Sequence, residues 1–599
     1  MSGSSTHLVH TIRSQANKYK DRDAVRYRVA DGIWKGISWN DFAKEIDNIS
    51  LGMLASGIDV QDKIGIYAQN MPNWTITDFA AQQIRAVSVS IYATSTAKQA
   101  AYIINDAGIK IMFVGDQEQY DNIIEVAADC PSLQYVVTMK NSIHRRGNEK
   151  GLLWEEFILK GSKDQYIEIE RRVEEADFND LMTLIYTSGT TGVPKGVMMD
   201  YTNFVSQFEA HLALIEFNDT YTNLSFLPLS HVFERAWSTY VLYRGAINYY
   251  LEDTTLIKEA LLETSPDVMC AVPRFYEKIY STVHEKVAKA SPTKKAIFNW
   301  AVNVGKRCFE LRNSNKSLSG LDKFKYGIAN KLILSKFQKL LGGNIKFMPA
   351  GGAKLDPEIG KFFHAIGIPV ILGYGLTETC ATVTAWHINQ PFNPDSIGTP
   401  LEGVEVKIGE SSEILVKSKV VMKGYYNNPE ETAKVFTEDG FFRTGDAGEF
   451  DADGNLLITD RIKELMKTSN GKYIAPQVVE GKVGKDHFVE QIAIIADGRN
   501  FVSALIVPTY INLEEYAEEN GITFKDREEL ISNKDIVKMY EKRVELLQHD
   551  LAKFEKIKKF TLLPKEFSIE NGEMTPTLKL KRKAISERYK QQIDEIYAK

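Results

Sequence analysis

Cysteine is scarce. Cys130, Cys270, Cys308 and Cys380 are the only four among 599 residues, and they lie too far apart for a metal quartet or a disulfide framework. No apolar run approaches the ~18–20 residues that a membrane span needs. The opening MSGSSTHLVHTIR lacks the charged-then-apolar pattern of a signal peptide. Positive charge is not in excess either: 73 Lys/Arg against 79 Asp/Glu leave −6, which gives no reason to expect nucleic acid. These absences lead us to expect a cytoplasmic chain. The remaining composition, 44% hydrophobic and 25% charged, excludes a disordered or fibrous protein. At roughly 100–200 residues per domain, the length requires more than one core.

The charge is unevenly spread. From Leu551 to Lys599, 12 Lys/Arg face 7 Asp/Glu, so the tail is +5 and the remainder −11. A solvated helical face explains such a tail, and so does a surface for a polyanionic ligand.

Hydrophobic periodicity alternates along the first half. Asn40–Ala55 reads as a helix capped by Asn40, with Phe42, Ile46, Ile49 and Met53 at helical spacing. Strand-like runs at Lys63–Tyr67, Ala86–Ile91 and Ile109–Val114 alternate with helical stretches at Trp74–Arg85, Ala97–Asp106 and Gln119–Ala128. The pattern resumes with a strand at Leu181–Thr187 and a helix at Tyr201–Glu216. Further strands follow at Asn223–Leu227, Ile247–Leu251, Val268–Val272 and Ile345–Pro349. Such alternation predicts α/β layers around a largely parallel sheet. Lysine-rich Arg274–Leu341 breaks the rhythm. Phe298, Ala301, Val302 and Phe309 suggest an amphipathic face there, which we read as a packing insertion rather than a membrane anchor. After Gly409 short strands and turns dominate, and a boundary is expected near Asp460.

Four segments carry chemistry. In YTSGTTGVPKG (Tyr186–Gly196) the hydroxyls of Thr187, Ser188, Thr190 and Thr191 alternate with Gly189 and Gly192, and Lys195 adds a point charge. Glycines let backbone approach a ligand closely while N–H and O–H donors converge on phosphate. It is not a Walker A loop, because Pro194 precedes Lys195 and Gly196 follows it. GYGLTE (Gly373–Glu378) follows an apolar strand. It lacks the third glycine of a dinucleotide fingerprint, but Glu378 could hold a hard cation, Thr377 a phosphate and Tyr374 a base. Upstream, PAGGA (Pro349–Ala353) suits close approach of a flat ligand. In Asp439–Lys463, Asp446 sits among turn residues, where its carboxylate could accept two bonds from a ribose diol. Asn571–Lys583 is a turn leading into a basic stretch.

Taken together, in this order, the four resemble the AMP-forming acyl-CoA synthetases of the adenylate-forming superfamily, over essentially the whole chain. YTSGTTGVPKG is similar to that family's phosphate loop. Asp439–Lys463 resembles the fatty-acyl-CoA synthetase signature, and PLSHVFERAW (Pro228–Trp237) and TPTLKLKRK (Thr575–Lys583) resemble the long-chain branch. The resemblance implies a large N-terminal domain (residues 1–462) of layered α/β sheets with a small β-barrel-like subdomain. A small, mobile α+β domain (463–599) would follow. It also implies two half-reactions. Fatty carboxylate and ATP give acyl-adenylate and pyrophosphate; coenzyme A then displaces AMP.

By the same resemblance, Thr187, Ser188, Gly189, Thr190, Thr191 and Lys195 would hold the β- and γ-phosphates. Thr187 and Glu378 would position Mg2+, and Thr377 the α-phosphate. Gly351, Gly352 and Tyr374 would hold adenine, while Asp446 and Arg461 take the ribose. Lys579 would bridge the acyl carboxylate and α-phosphate. Leu578 precedes it where several family members have glycine, so Lys581 stands as the alternative. His231 would wall the acyl site, or serve only the core. Lys463 matches the hinge about which the small domain rotates, bringing in Lys467–Ile474 with Gly471 along the pantetheine channel. The expected partners are a fatty acid, ATP and coenzyme A, with room for peripheral membrane contact and a homodimer. Rival readings are transfer to a carrier protein, a medium-chain or aryl acid substrate, and a non-catalytic binder.

Overall fold

The computed structural model describes residues 6–188, 193–461, 465–575 and 579–598. Its largest sheet has eight strands in the spatial order Gly424–Tyr425, Pro194–Asp200, Leu181–Ser188, Val87–Ile91, Lys63–Tyr67, Ile111–Val114, Tyr135–Thr138 and Gly151–Leu153. The six strands from Leu181–Ser188 to Gly151–Leu153 run parallel. The other two are antiparallel additions at one edge. Val87–Ile91 and Ile111–Val114 are buried at every residue, as expected when helices cover both faces of a parallel sheet. Lys63–Tyr67 recurs as expected, and the strands expected from Ala86 and Ile109 start one and two residues later. The strand expected at Leu181–Thr187 runs one residue further, and that at Ile345–Pro349 shifts to Met348–Ala350.

The helices that cover this sheet show how local chemistry sets their limits. The first predicted helix runs Trp39–Ala55 and is capped by Ser38, whose Oγ accepts from the Asp41 N–H at 3.1 Å. Asn40 is not the cap as expected, and its amide instead donates to Asp21 at 3.2 Å. The next helix starts at Pro72, two residues before the predicted Trp74, because proline loses nothing in a first turn. Ala97–Ala107 carries a reciprocal Thr96–Gln99 capping box.

A second sheet joins Thr222–Ser225, Ile247–Tyr250, Asp23–Ala30 and Ile33–Ser38, and a third joins Met348–Ala350, Val370–Tyr374, Thr384–Ala385 and Thr399–Pro400. The strand expected at Val268–Val272 pairs only through single bridges. Val268 meets Asn223 and Phe347, and Ala271 meets Ala350. Those bridges tie the second sheet to the third. The strand-rich unit after Gly409 is a four-stranded antiparallel sheet, ordered Val404–Ile408, Glu413–Ser418, Phe442–Phe450 and Leu456–Arg461.

Between Val272 and Phe347 the chain forms the helical insertion: Pro273–Ala288, Pro292–Asn313 and Gly320–Ala329, then a π-helical turn at Asn330–Leu334, then Ser335–Leu340. Phe298, Ala301 and Val302 are buried there as expected. Beyond residue 465, the strands Val489–Ile495, Val502–Pro508 and Ile557–Leu562 form a separate three-stranded sheet. Their apolar residues close two core clusters that contain no residue before Met466.

Candidate active site

The Tyr186–Gly196 motif is a β-hairpin. Thr187 stands opposite Lys195 and Ser188 opposite Pro194 in the register of Leu181–Ser188 with Pro194–Asp200. The residues between them, Gly189, Thr190, Thr191 and Gly192, lie outside the described residues. Lys195 pairs with Glu431 and lies 5.1 Å from the centre of the Tyr425 ring. The Lys195 and Lys434 ammonium groups hold the Glu431 carboxyl down to about 2. Tyr425 in turn donates its hydroxyl to Glu378 at 2.9 Å, so the first and second motifs meet through one tyrosine. Neither Tyr425 nor Glu431 was among the residues expected from sequence.

GYGLTE folds into a tight loop after Val370–Tyr374. A Cβ on Gly375 would lie 1.5 Å from the Ala381 carbonyl oxygen, so only glycine allows this approach. Thr377 and Glu378 occupy one short helical turn and are half-buried. Tyr374 donates its hydroxyl to Asp446 at 2.7 Å, which links the second motif to the third. Asp446 is buried and stands opposite Arg461 in the register of Phe442–Phe450 with Leu456–Arg461. Gly351 and Gly352 follow Met348–Ala350, the neighbour of Val370–Tyr374 in the third sheet. A Cβ on Gly351 would touch the Phe233 ring at 3.4 Å, which puts this loop beside the helix that His231 caps.

His231 is the N-cap of Val232–Tyr243, where its Nδ1 accepts from the Phe233 N–H at 3.2 Å. That bond places the proton of the neutral ring on Nε2. Burial, with the Lys579 ammonium adding to it, holds the ring down to about 4, so His231 is neutral near pH 7. Arg235 on the same helix is buried with Asp78 at 2.5 Å and also donates to Thr183 and Ser88. Glu234 accepts from Ser238 and from the Leu227 N–H. Arg235 therefore ties the PLSHVFERAW segment to Val87–Ile91, Leu181–Ser188 and the Pro72–Gln83 helix, which fixes His231.

Lys579 comes from the C-terminal unit. Its N–H donates to Thr575 Oγ1 at 3.0 Å and its carbonyl accepts from the Thr575 N–H at 2.8 Å. The side chain is exposed, yet its charge acts on His231 in the N-terminal part. Lys581 is instead the N-cap of Arg582–Arg588, with its N–H bonded to the Glu573 carbonyl at 2.7 Å. Gly471 sits in the turn joining Met466–Lys467 to Tyr473–Ile474, at φ +74°. Lys463 lies outside the described residues, and the Arg461 side chain is not described. Among the described residues, no cluster of three or more His, Cys, Asp or Glu side chains could hold a metal ion.

The description "AMP-binding enzyme" matches residues 12–426, and "AMP-binding enzyme C-terminal domain" matches 463–599. The chain is 31% identical over 590 residues to the long-chain-fatty-acid–CoA ligase FadD15 of Mycobacterium bovis, covering 97% of this chain and 95% of that one. It is 30% identical to long-chain-fatty-acid–CoA ligase 5 of Rattus norvegicus, covering 95% and 85%. Among solved structures, the adenylation domain of a carboxylate reductase from Mycobacterium chelonae superposes with a TM-score of 0.77. Identity to it is 20%, with 100% of this chain and 92% of that one covered.

Proposed function

The chain belongs to the AMP-binding enzyme family, and on that premise we propose that it is a long-chain-fatty-acid–CoA ligase. It converts a fatty carboxylate and ATP to acyl-adenylate and pyrophosphate, then transfers the acyl group to coenzyme A with release of AMP. The relatives named for this activity match at about 30% identity over nearly their whole length. Transfer to a carrier protein and an aryl substrate find no comparable support. We take residues 1–462 as the domain holding ATP and acyl group, and 463–599 as the mobile domain carrying Lys579.

The observation that carries the proposal is the convergence of the motifs: Tyr425 links Lys195 to Glu378, and Tyr374 bonds Asp446. In the first half-reaction the fatty carboxylate attacks the α-phosphorus, so two anions are pressed together. At 4 Å and an effective dielectric near 20 they repel by roughly 4 kcal/mol. Lys579, whose charge reaches His231, would offset a barrier of that order. Neutral His231 adds no charge of its own; its half-buried ring would wall the acyl carboxylate. Thr187, Ser188, Gly189, Thr190, Thr191 and Lys195 would hold the β- and γ-phosphates, with Lys195 exchanging Glu431 for phosphate oxygen. Thr377 would hold the α-phosphate, Gly351, Gly352 and Tyr374 the adenine, and Asp446 and Arg461 the ribose.

A magnesium ion fits these residues only in partnership with the nucleotide. Glu378 and Thr187 are oxygen donors suited to a hard cation and would hold it together with the nucleotide. When bound it would neutralise phosphate charge. In the second half-reaction the thiol needs the approach that Lys579 occupies, and rotation about Lys463 would bring Gly471 toward pantetheine. Four cysteines that are all free and buried support a reducing, cytoplasmic setting. The test is pyrophosphate release across a panel of carboxylic acids, with and without coenzyme A. We expect release to depend on acyl chain length and thioester to appear only with coenzyme A. Turnover confined to aryl acids, or requiring a carrier protein, would sink the proposal.

A further inference from the structure

The insertion between Val272 and Phe347 has two apolar faces, and only one is covered. On the inner face, Phe337 packs on Phe298 with ring centres 5.7 Å apart, and Ala329 and Leu334 are buried. Arg307 pairs with Asp322 at 3.0 Å. These contacts set Pro292–Asn313 antiparallel to the segment Gly320–Leu340. On the outer side, Leu321, Phe324, Ile328 and Leu332 recur at intervals of three, four and four residues, a single helical stripe. All four are exposed, Phe324 by 66% and Leu321 by 60%. Ile297 and Trp300 of the antiparallel helix are exposed as well. Single exposed apolar residues need no explanation, but a periodic stripe on a helix whose other face is already packed does.

The charge around the stripe is as unusual as the stripe itself. From Ser291 to Leu341 the chain has eleven Lys/Arg against two Asp/Glu, a net of +9 in a protein whose total is −6. Lys323, Lys325, Lys331, Lys336 and Lys339 are all exposed on this segment. A partner for such a surface must be negative at its face and apolar just beneath. A folded acidic protein supplies the first property, whereas a bilayer with anionic headgroups supplies both at once. Lysine stems can lie along the apolar stripe while their ammonium groups reach the headgroups.

We propose that the outer face of this insertion, whose inner face packs as the sequence suggested, is a docking surface for anionic lipid membranes. The segment Leu321–Leu332 lies in the headgroup region and spans nothing, in keeping with the lack of any helix long and apolar enough to cross a membrane among the described residues. The insertion leaves the body at Val272 and returns at Phe347, and Ala271 bridges Ala350, next to Gly351. Docking there would bring the enzyme to a bilayer, the medium into which long-chain acids partition. The docking itself does not depend on which acid that site accepts.

The full-length protein is floated with vesicles of phosphatidylglycerol and phosphatidylcholine in equal parts, and with pure phosphatidylcholine vesicles. The native chain should float with the anionic vesicles and lose most of that binding in the pure phosphatidylcholine sample. Leu321→Ser/Phe324→Ser and, separately, Lys325→Glu/Lys331→Glu should each lower the partition coefficient at least tenfold. Both should leave pyrophosphate release with a dispersed medium-chain acid unchanged, so a failure of docking is distinguishable from a failure of the enzymatic reading. The side chains are exposed, and melting temperatures matching the native chain confirm folding. Absence of binding to anionic vesicles, or equal binding by native and substituted chains, overturns the proposal. So does a lipid-independent change of oligomeric state in the Leu321/Phe324 variant, which would make the face a contact between copies of this chain.

Discussion

The hydroxyl of Tyr374 donates to Oδ2 of Asp446 at 2.7 Å across 72 residues of sequence. One strand end carries the ring proposed for adenine, and the other the carboxylate proposed for ribose, so a single bond sets the spacing between base and sugar. Asp446→Ala removes both the ribose acceptor and the partner of Tyr374. Each hydrogen bond to a charged group contributes about 1.5–3 kcal/mol, so the Michaelis constant for ATP should rise at least tenfold. Tyr374→Phe keeps the ring and loses only the orienting bond, and should raise it less. Unchanged ATP kinetics in Asp446→Ala would show that this turn is purely structural.

Lys579 and His231 give a spectroscopic test as well as a kinetic one. Burial is the main cause of the depressed histidine pKa and Lys579 adds to it, so Lys579→Ala should move the His231 resonance titration upward. The same variant should lose most adenylate formation while sparing thioester formation from supplied acyl-adenylate, since the charge is needed where the two anions meet. Equal loss in both half-reactions would refute the role. A larger selective effect in Lys581→Ala would move it to that residue.

Much of this was legible in the sequence because the controlling chemistry is local. Lys63–Tyr67 and the start of Ala97–Ala107 follow from apolar period and cap alone. The Ser38 cap escaped because Asn40 is an equally good capping type, and only geometry decides which oxygen reaches an orphan N–H. The N-terminal hairpin Asp23–Ser38 was missed although Asp31–Gly32, with Gly32 at φ +69°, is a turn dipeptide. Its half-exposed strands, with Arg26, Arg28 and Lys35 among them, hide the alternation. Tyr425 and Glu431 could not be read at all: they reach Glu378 and Lys195 only because Gly424–Tyr425 adds to the edge of the main sheet. In the insertion only the Phe298 face was read from the sequence; the exposed stripe from Leu321 to Leu332 emerged from the structure.

Acid should destabilise the protein through its histidines, against a smaller opposite effect from Glu234, whose carboxyl is pushed up to about 7 by burial. Burial holds His7, His231 and His364 at about 4, below their ordinary 6.5. Between pH 6.5 and 5 the unfolded chain binds protons at these sites that the folded chain refuses, so stability falls as pH falls. Each such histidine contributes a slope of up to about 1.4 kcal/mol per pH unit. Chemical denaturation at pH 6.5, 5.75 and 5 should show this decline, and His231→Gln should make it shallower. A flat profile over that window would mean that the folded state protonates these rings as readily as the unfolded one.

The interface between the two units supplies the last test. Arg274, at the start of Pro273–Ala288, donates Nη1 to the Gly484 carbonyl at 3.2 Å and Nη2 to that of Glu490 at 3.1 Å. Lys485 pairs with Asp356, and Lys289 with Glu515 at 3.1 Å. All these contacts coexist with Lys579 acting on His231, and any large rotation of the small unit must break them. They are exposed or partly exposed, so each is weak alone, but together they bias a two-state equilibrium several-fold. Arg274→Ala should therefore slow adenylate formation roughly two- to tenfold, by lowering the population of the adenylating arrangement. Acyl transfer from supplied acyl-adenylate to coenzyme A should be unchanged or faster, because the alternative arrangement loses no contact. Arg274→Lys keeps the charge but not the two-pronged reach to both carbonyls, and should fall between. Pre-steady-state measurement of the two half-reactions separates the outcomes. A loss of equal size in both would make Arg274 an ordinary structural residue, and no loss in either would mean that the interface does not set the balance.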